Sequence, residues 1–309
     1  MTMRMVTGVL AAAAVAATSS GVVFEFSVLD NIDNQIGTVT FRDGDVVQFD
    51  TDTGIASIVF NEDLFGGTSV DITAYHRLPN GNLLLSVLFN GRTLGGLTFD
   101  DGDLVEYDPV ADTATFAGIT ESTFDGGGNN PDISAVSVLP SGDLVFSTFQ
   151  DQSINGVSFT DGDLVQYNPM TDTATVIVTE ASIFDDGDGD IDAVHALADG
   201  TFLISPAADD TIDGVLYTDS DVVTFDPATG SASLFFTYDE GGDVNAFFVP
   251  APADCPGDAN GDNVVNFDDL NAVLVHWETS NPAGDVNESG FVDFDDLNEV
   301  LNNWEQSCS

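Results

Sequence analysis

Between residues 132 and 180 the apolar positions come in four short runs, ISAVSVL, DLVFSTF, DLVQYN and TATVIV. β-Branched and aromatic residues dominate them, and turn-forming stretches such as Leu139-Pro140-Ser141-Gly142 and Tyr167-Asn168-Pro169 separate them. Runs of this length and composition predict strands. The pattern repeats along the chain. DGDVVQFD starts at Asp43, DGDLVEYDP at Asp101, DGDLVQYNP at Asp161 and DSDVVTFDP at Asp219, at offsets of 58, 60 and 58. A second marker interleaves, with DITAYHRLPNGNLLLS from Asp71, DISAVSVLPSGDLVFS from Asp132, DIDAVHALADGTFLIS from Asp190 and a truncated DVNAFFVP from Asp243. Four strands in about 60 residues, repeated, predict the blades of a β-propeller.

The ends of the array bear on whether it is open or closed. VVFEFS matches the second strand of a unit and has no first strand before it, whereas DVNAFFV supplies only a first strand. Three full units and two complementary fragments make four blades, with the last strand completing the first blade. Residues 21–250 are therefore read as a four-bladed β-propeller in a mainly β chain, with a β-sandwich or an open β-solenoid as the competing architecture. VPAPADCP, residues 249–256, reads as a short proline-rich linker. The array is similar to hemopexin-like domains in blade number and in the Asp-hydrophobic-x-Ala start of its first strands; that resemblance brings no ligand with it.

First strands line a propeller's channel, so Asp71, Asp132, Asp190 and Asp243 form a candidate cation site, a third calcium beyond the two discussed below. Carboxylates capping turns toward solvent are the alternative. Thr73, Ser134, Asp192 and Asn245 follow two residues later. His76 and His195 occupy the same place in alternate repeats, across the ring from each other, either as ligands or as packed core side chains that share parity with Ile72 and Ala74. The acidic stretch FDDGDGDID, residues 184–192, fits a loose calcium loop or a solvated turn equally well.

The last 55 or so residues carry a different period. In GDANGDNVVNFDDL, Asp258, Asn260, Asp262, Asn266 and Asp269 stand at positions 1, 3, 5, 9 and 12; in GDVNESGFVDFDDL the same positions hold Asp285, Asn287, Ser289, Asp293 and Asp296. Side-chain oxygens at alternate positions plus a carbonyl at position 7, here Val264 and Phe291, are the ligand spacing of a twelve-residue calcium loop. The turn at position 6 falls on Asn263 and Gly290, residues that tolerate a left-handed backbone. Leu270, Val273, Leu274 and Trp277 follow the first loop, and Leu297, Val300, Leu301 and Trp304 the second, each at helical spacing. Two acidic turns without metal are the competing reading.

This loop–helix unit, repeated at an offset of 27, resembles a type I dockerin over residues 254–309, so residues 251–309 are taken as a small α-helical domain. The resemblance implies two bound Ca2+ ions and attachment to a cohesin-like or other extracellular protein, with partner choice at loop positions 10 and 11. Those positions are Phe267-Asp268 and Phe294-Asp295, where cellulosomal members often carry small hydroxyl residues.

Charge narrows the partners. The 309-residue chain has 53 Asp plus Glu against four arginines and no lysine, a net charge of −49. Such a field repels nucleic acid and anionic membranes and attracts cations. Yet 43% of the residues are hydrophobic and 23 are Phe, so the acids decorate a folded chain. Residues 1–20, with one Arg, an apolar run and Ala14-Val15-Ala16, read as a secretory signal peptide, which implies a secreted or cell-surface protein. No later run is long enough to span a membrane. In that oxidising setting Cys255 and Cys308, which bracket the dockerin-like segment, are expected to form a disulfide, two free thiols being the alternative. No G-x-S-x-G, H-E-x-x-H or phosphate loop occurs. The leading expectation is an exported, non-catalytic binding or scaffold protein whose propeller engages a protein or glycan. The alternative is a polysaccharide-degrading enzyme, a glycosyl hydrolase or lyase, anchored by its tail; a third reading has the calcium module only stabilising the chain end.

Overall fold

The computed structural model describes residues 22–29, 34–66, 69–125, 131–250, 255–260, 264–279, 281, 284–287 and 289–306. The signal-peptide expectation lies outside them. The chain divides into two compact units, which among the described residues cover 23–250 and 255–306.

The first unit is a four-bladed β-propeller. Blade one contains β1 (Val23–Leu29), β2 (Asn34–Ile36), β3 (Val39–Phe41), β4 (Val46–Asp50) and β5 (Ala56–Phe60). Blade two contains β6 (Ile72–Arg77), β7 (Leu83–Val87), β8 (Arg92–Leu94), β9 (Leu97–Phe99), β10 (Val105–Asp108) and β11 (Thr113–Phe116). Blade three contains β12 (Ile133–Val138), β13 (Leu144–Thr148), β14 (Gln152–Ile154), β15 (Val157–Phe159), β16 (Leu164–Asn168) and β17 (Thr173–Val178), and is followed by the single turn α1 (Glu180–Ile183). Blade four contains β18 (Ile191–Ala196), β19 (Phe202–Pro206), β20 (Asp210–Ile212), β21 (Val215–Tyr217), β22 (Asp221–Asp226) and β23 (Ser231–Thr237), with β24 (Asp243–Phe248) after it.

Each blade is a four-stranded antiparallel sheet, in the orders β24-β1-β4-β5, β6-β7-β10-β11, β12-β13-β16-β17 and β18-β19-β22-β23. The expected closure is present: β24 pairs with β1, Phe26 opposite Phe247 and Leu29 opposite Asp243. Neither the sandwich nor the open solenoid survives this topology. Between second and third strands every blade also carries a small hairpin, β2-β3, β8-β9, β14-β15 or β20-β21. Asn155-Gly156, Gly95-Gly96 and Asp213-Gly214 turn three of them with φ positive at both residues, as type I′ hairpins require.

The core lies in the seams between blades. Ile72, Tyr75 and Leu85 of blade two pack with Val46, Phe60 and Phe248 of blade one. Ala74 and Leu84 pack with Ile133 and Phe146 at the next seam, and Ala135 and Val145 with Ile191 and Ile204 at the third. The closing seam is aromatic: Phe24 meets Phe236 at 4.5 Å and Phe247 at 4.9 Å between ring centroids, and Phe26 meets Tyr238 at 5.6 Å.

The second unit holds two nine-residue helices, α2 (Phe267–Val275) and α3 (Phe294–Asn302). Its core is four valines, Val265 and Val273 with their 27-residue equivalents Val292 and Val300. The two halves are linked reciprocally. Val265 donates to the Gln306 carbonyl and accepts from Glu305, while Val292 donates to Thr279 and accepts from Glu278. The expected apolar stripe is narrower than its spacing implied, because Leu274 and Leu301 are about half exposed and the tryptophans lie beyond the helix ends.

Candidate functional site

On the propeller, the D-x-D turn before each third strand divides its two carboxylates between different tasks. The second Asp is structural. Asp45 accepts the Arg42 and Glu62 N–H groups at 3.0 and 2.9 Å, and Asp103 accepts those of Asp100 and Glu121 at 2.9 and 3.1 Å. Asp163 does the same with Thr160 and Glu180 at 3.0 and 2.8 Å. Asp221 replaces the second donor with the Thr237 hydroxyl at 2.6 Å. A serine from each second strand, Ser27, Ser86, Ser147 or Ser205, donates to the carbonyls of both aspartates and fixes the turn.

The first Asp of each turn faces the next blade. Asp43 shares a side-chain hydrogen bond with Asp71, Asp101 with Asp132, and Asp161 with Asp190. Glycine between the two acids permits this approach: a Cβ on Gly44 would fall 1.7 Å from the Val70 carbonyl oxygen, and one on Gly162 1.8 Å from that of Gly189. Two carboxyls can hydrogen-bond only by sharing a proton. Burial, then Asp161, pushes Asp190 up to about 6, and burial followed by Asp43 raises Asp71. At the fourth seam Asp243 bonds Asp192 and is raised by burial and by the charges of Asp192 and Asp219. The four first-strand aspartates are thus tied pairwise to neighbouring carboxyls rather than gathered in one ring. Among the described residues no group of three or more His, Cys, Asp or Glu is arranged to hold a metal ion.

Beside the third blade's hairpin a cavity of about 490 Å³ is lined by Asp125, Asp151, Gln152, Ser158, Thr160 and Asp163. The Gln152 Nε2 is buried without a hydrogen-bond partner.

Farther along the inner strands, His76 and His195 meet across the ring with centroids 6.0 Å apart, and Phe248 closes on them at 4.7 and 5.2 Å. Ser137 completes the layer, its Oγ accepting the Ala196 N–H. Both imidazoles are buried, and neither Nδ1 has a partner. Burial, reinforced by His195, lowers His76 to about 3, and burial lowers His195 to about 4. Both are therefore neutral when folded. Their contribution to stability is complete above the unfolded value of 6.5 and is lost as pH falls from there toward about 4 for His195 and about 3 for His76. Acidification below 6.5 is expected to cost wild type about 1.4 kcal/mol per pH unit per histidine relative to a His76→Gln, His195→Gln variant. Denaturant unfolding of both chains at pH 7.5 and 5 measures this; a stability difference that does not change with pH would refute it.

In the second unit, loop positions 9 and 12 also cap the helices. Asn266 and Asp293 are N-caps, and Asp269 and Asp296 return their carboxylates to the cap N–H groups at 2.8 Å. The other oxygens of those carboxylates accept Asn260 and Asn287 N–H at 3.1 and 3.2 Å. Asp269 and Asp296 are 0% exposed. In loop two, Ser289 draws the odd-numbered positions together: its N–H donates to Asp285 and Asn287 at 2.9 Å, and its Oγ to Asp285 and the Phe291 carbonyl at 3.3 and 3.1 Å. In loop one Asp258 is partly buried, Asn260 exposed and the Val264 carbonyl bonded to Asn266; Asp262 and Asn263 lie outside the described residues. Phe267 and Phe294 are 73% and 68% exposed, yet each meets the other half's tryptophan edge-on at 5.1 Å, Phe267 on Trp304 and Phe294 on Trp277. Asp268 and Asp295 beside them are exposed. Cys255 packs at the valine core and is not a free thiol; its expected partner Cys308 lies outside the described residues.

The small hairpins, the carboxyl pairs and the cavity were not anticipated from sequence, although Asn-Gly and Asp-Gly between short alternating runs signal such hairpins. No described helix is long and apolar enough to cross a membrane. No family model matches the chain, and no curated protein does. Among solved structures, the chain is similar to the extracellular domain of BT4673 from B. thetaiotaomicron at 12% identity, covering 66% of this chain and 21% of that one with a TM-score of 0.28. The nidogen/laminin complex aligns at 10% identity over 69% and 63% of the two chains, TM-score 0.32. Virginiamycin B lyase from Staphylococcus aureus aligns at 12% over 62% and 48%, TM-score 0.27. The chain thus spans less than two thirds of the length of each of these structures.

Proposed function

We propose that this is an exported, non-catalytic attachment protein whose C-terminal loop–helix pair binds two calcium ions and docks on a cohesin-like extracellular protein. The observation that carries the reading is loop two. Asp285, Asn287, Ser289 and the Phe291 carbonyl already crowd about one serine, and the buried Asp296 holds Asn287 by its N–H. That set is oxygen-only and acidic, which suits a hard cation. Asp258, Asn260, Asp262, Val264, Asn266 and Asp269 would hold the first ion; Asp293 would join the second set. Calcium supplies the positive charge that neither loop contains. The partner surface is centred on Phe267-Asp268 and Phe294-Asp295, and a Cys255–Cys308 disulfide clasps the module ends. The propeller takes a hydroxylated ligand such as a glycan, an inference supported by the polar cavity at Asp151 and Gln152: a sugar hydroxyl accepts from the orphan Gln152 Nε2 while donating to a carboxylate.

Asp258→Ala with Asp285→Ala is expected to remove two equivalents of calcium from the full-length chain and to abolish a calcium-dependent complex with a cohesin-type domain. Phe267→Ala with Phe294→Ala is expected to weaken that complex and leave calcium stoichiometry intact. Calorimetric titration reads both. Equal calcium binding by the wild type and the aspartate variant would end the proposal.

A further inference from the structure

The four inner strands share an irregularity at one level of the channel. The ladder passes from Ile72–Val87 to Ala74–Ser86, from Ile133–Thr148 to Ala135–Ser147, from Ile191–Pro206 to Ala193–Ser205, and from Val244–Val28 to Ala246–Ser27. In each case one residue is left over, and such a bulge re-aims a side chain. The four extra residues are Thr73, Ser134, Asp192 and Asn245, all polar and all 1% exposed. Opposite inner strands lie close across the channel, β6 by β18 and β12 by β24. Three residues farther along, His76 and His195 touch across it.

Thr73 donates to the Ile133 carbonyl at 2.7 Å. The Ser134 Oγ, Asp192 Oδ1, Asn245 Oδ1 and Nδ2, and the Oδ1 of the adjoining Asp243 have no hydrogen-bond partner. Water could satisfy the hydroxyl and the amide. It would leave Asp192 and Asp243 side by side, where without a cation they can remain only by sharing a proton. Among the described residues no arginine answers this pair: Arg42 pairs with Glu62 and Asp63, Arg77 with Glu25, and Arg92 acts on Asp71. The buried Asp192 carboxyl beside the partly buried Asp243, with no cationic side chain near them among the described residues, calls for a shared proton or a bound cation.

We propose that the propeller channel holds one calcium ion at the bulge layer, ligated by Asp192, Asp243, Asn245 Oδ1 and Ser134 Oγ. The donor set is all oxygen and brings two carboxylates to a divalent hard cation. The acidic rim above it would feed cations inward, and the His76, His195 and Phe248 layer closes the far side. This site is independent of the C-terminal loops.

The test uses the full-length chain carrying Asp258→Ala and Asp285→Ala, stripped with chelator and titrated with calcium at physiological ionic strength, where diffuse binding to surface carboxylates is screened. One equivalent should remain. Adding Asp192→Asn, which keeps shape and removes charge, should weaken it by about tenfold or more, and adding Asn245→Asp instead should tighten it. A folded loop variant that binds no calcium overturns the proposal, as does an Asp192→Asn chain with unchanged affinity. So does an Asn245→Asp chain that is destabilised alike with and without calcium. Failure of the loop reading looks different, since the wild type and the loop variant would then bind the same number of ions.

Discussion

Deleting Asp243–Phe248 is expected to abolish cooperative unfolding of the entire propeller, not of one blade alone. The strand buries Val244, Ala246, Phe247 and Phe248 and completes the aromatic seam around Phe24 and Phe26. At about 1.5–3 kcal/mol for each large side chain, the loss is on the order of 5–10 kcal/mol, as large as the stability of a typical domain. It also leaves β1 as an unpaired inner edge. Moving the same six residues to a position just before Val22, through a flexible linker, should restore the transition, because β1 needs the strand and not its place in the chain. Urea unfolding followed by near-UV circular dichroism compares the three forms. A deletion that keeps the wild-type midpoint would show that closure is decorative.

Glu25→Ala should destabilise the propeller by about 3–5 kcal/mol, the usual cost of stripping one partner from a buried ion pair. Glu25 is 1% exposed and ties two blades together. It accepts the Tyr75 hydroxyl at 2.6 Å, the Arg77 Nε at 3.0 and 3.1 Å, and the Gln48 amide at 3.2 Å. Its removal leaves Arg77 half-buried beside a tyrosine whose hydroxyl has lost its acceptor. Glu25→Gln retains an acceptor and is expected to cost less, about 1.5–3 kcal/mol. Equilibrium denaturation of both, and of Arg77→Ala alone and combined with Glu25→Ala, measures the coupling. Additive single effects would mean that the pair contributes nothing beyond packing.

The large-scale order of the propeller could be read from the sequence because it is written four times. The D-x-D turns, the Asp-x-x-Ala strand starts and the complementary end fragments each reappear where the fold places them. What escaped is what breaks a period. A bulge at Thr73 and Asp192 resets the alternation of the inner strands, so His76 shares a face with Ala74 but not with Ile72. Parity counted through the bulge gave the right burial for a partly wrong reason. The carboxyl pairs escaped because they join residues some 28 to 51 positions apart across a seam, and in so acidic a chain spacing alone cannot select partners. In the small unit the valine core and the capping positions follow from spacing. The exposure of Leu274 and Leu301 does not, since a nine-residue helix has room for only one buried valine row.

The closing strand sets an order of events during synthesis. β1 is made first, and β24 follows roughly 220 positions later. Until then blade one has an open edge facing a nascent chain that is rich in further strands. Long-range pairing of this kind is slow, and open edges invite wrong partners. A ribosome still reading blade three has already released a chain dense in like charge, since nearly every turn carries aspartate. Mutual repulsion between such chains disfavours edge-to-edge association during the wait. The acidity that lines the finished turns thus also keeps unfinished chains apart.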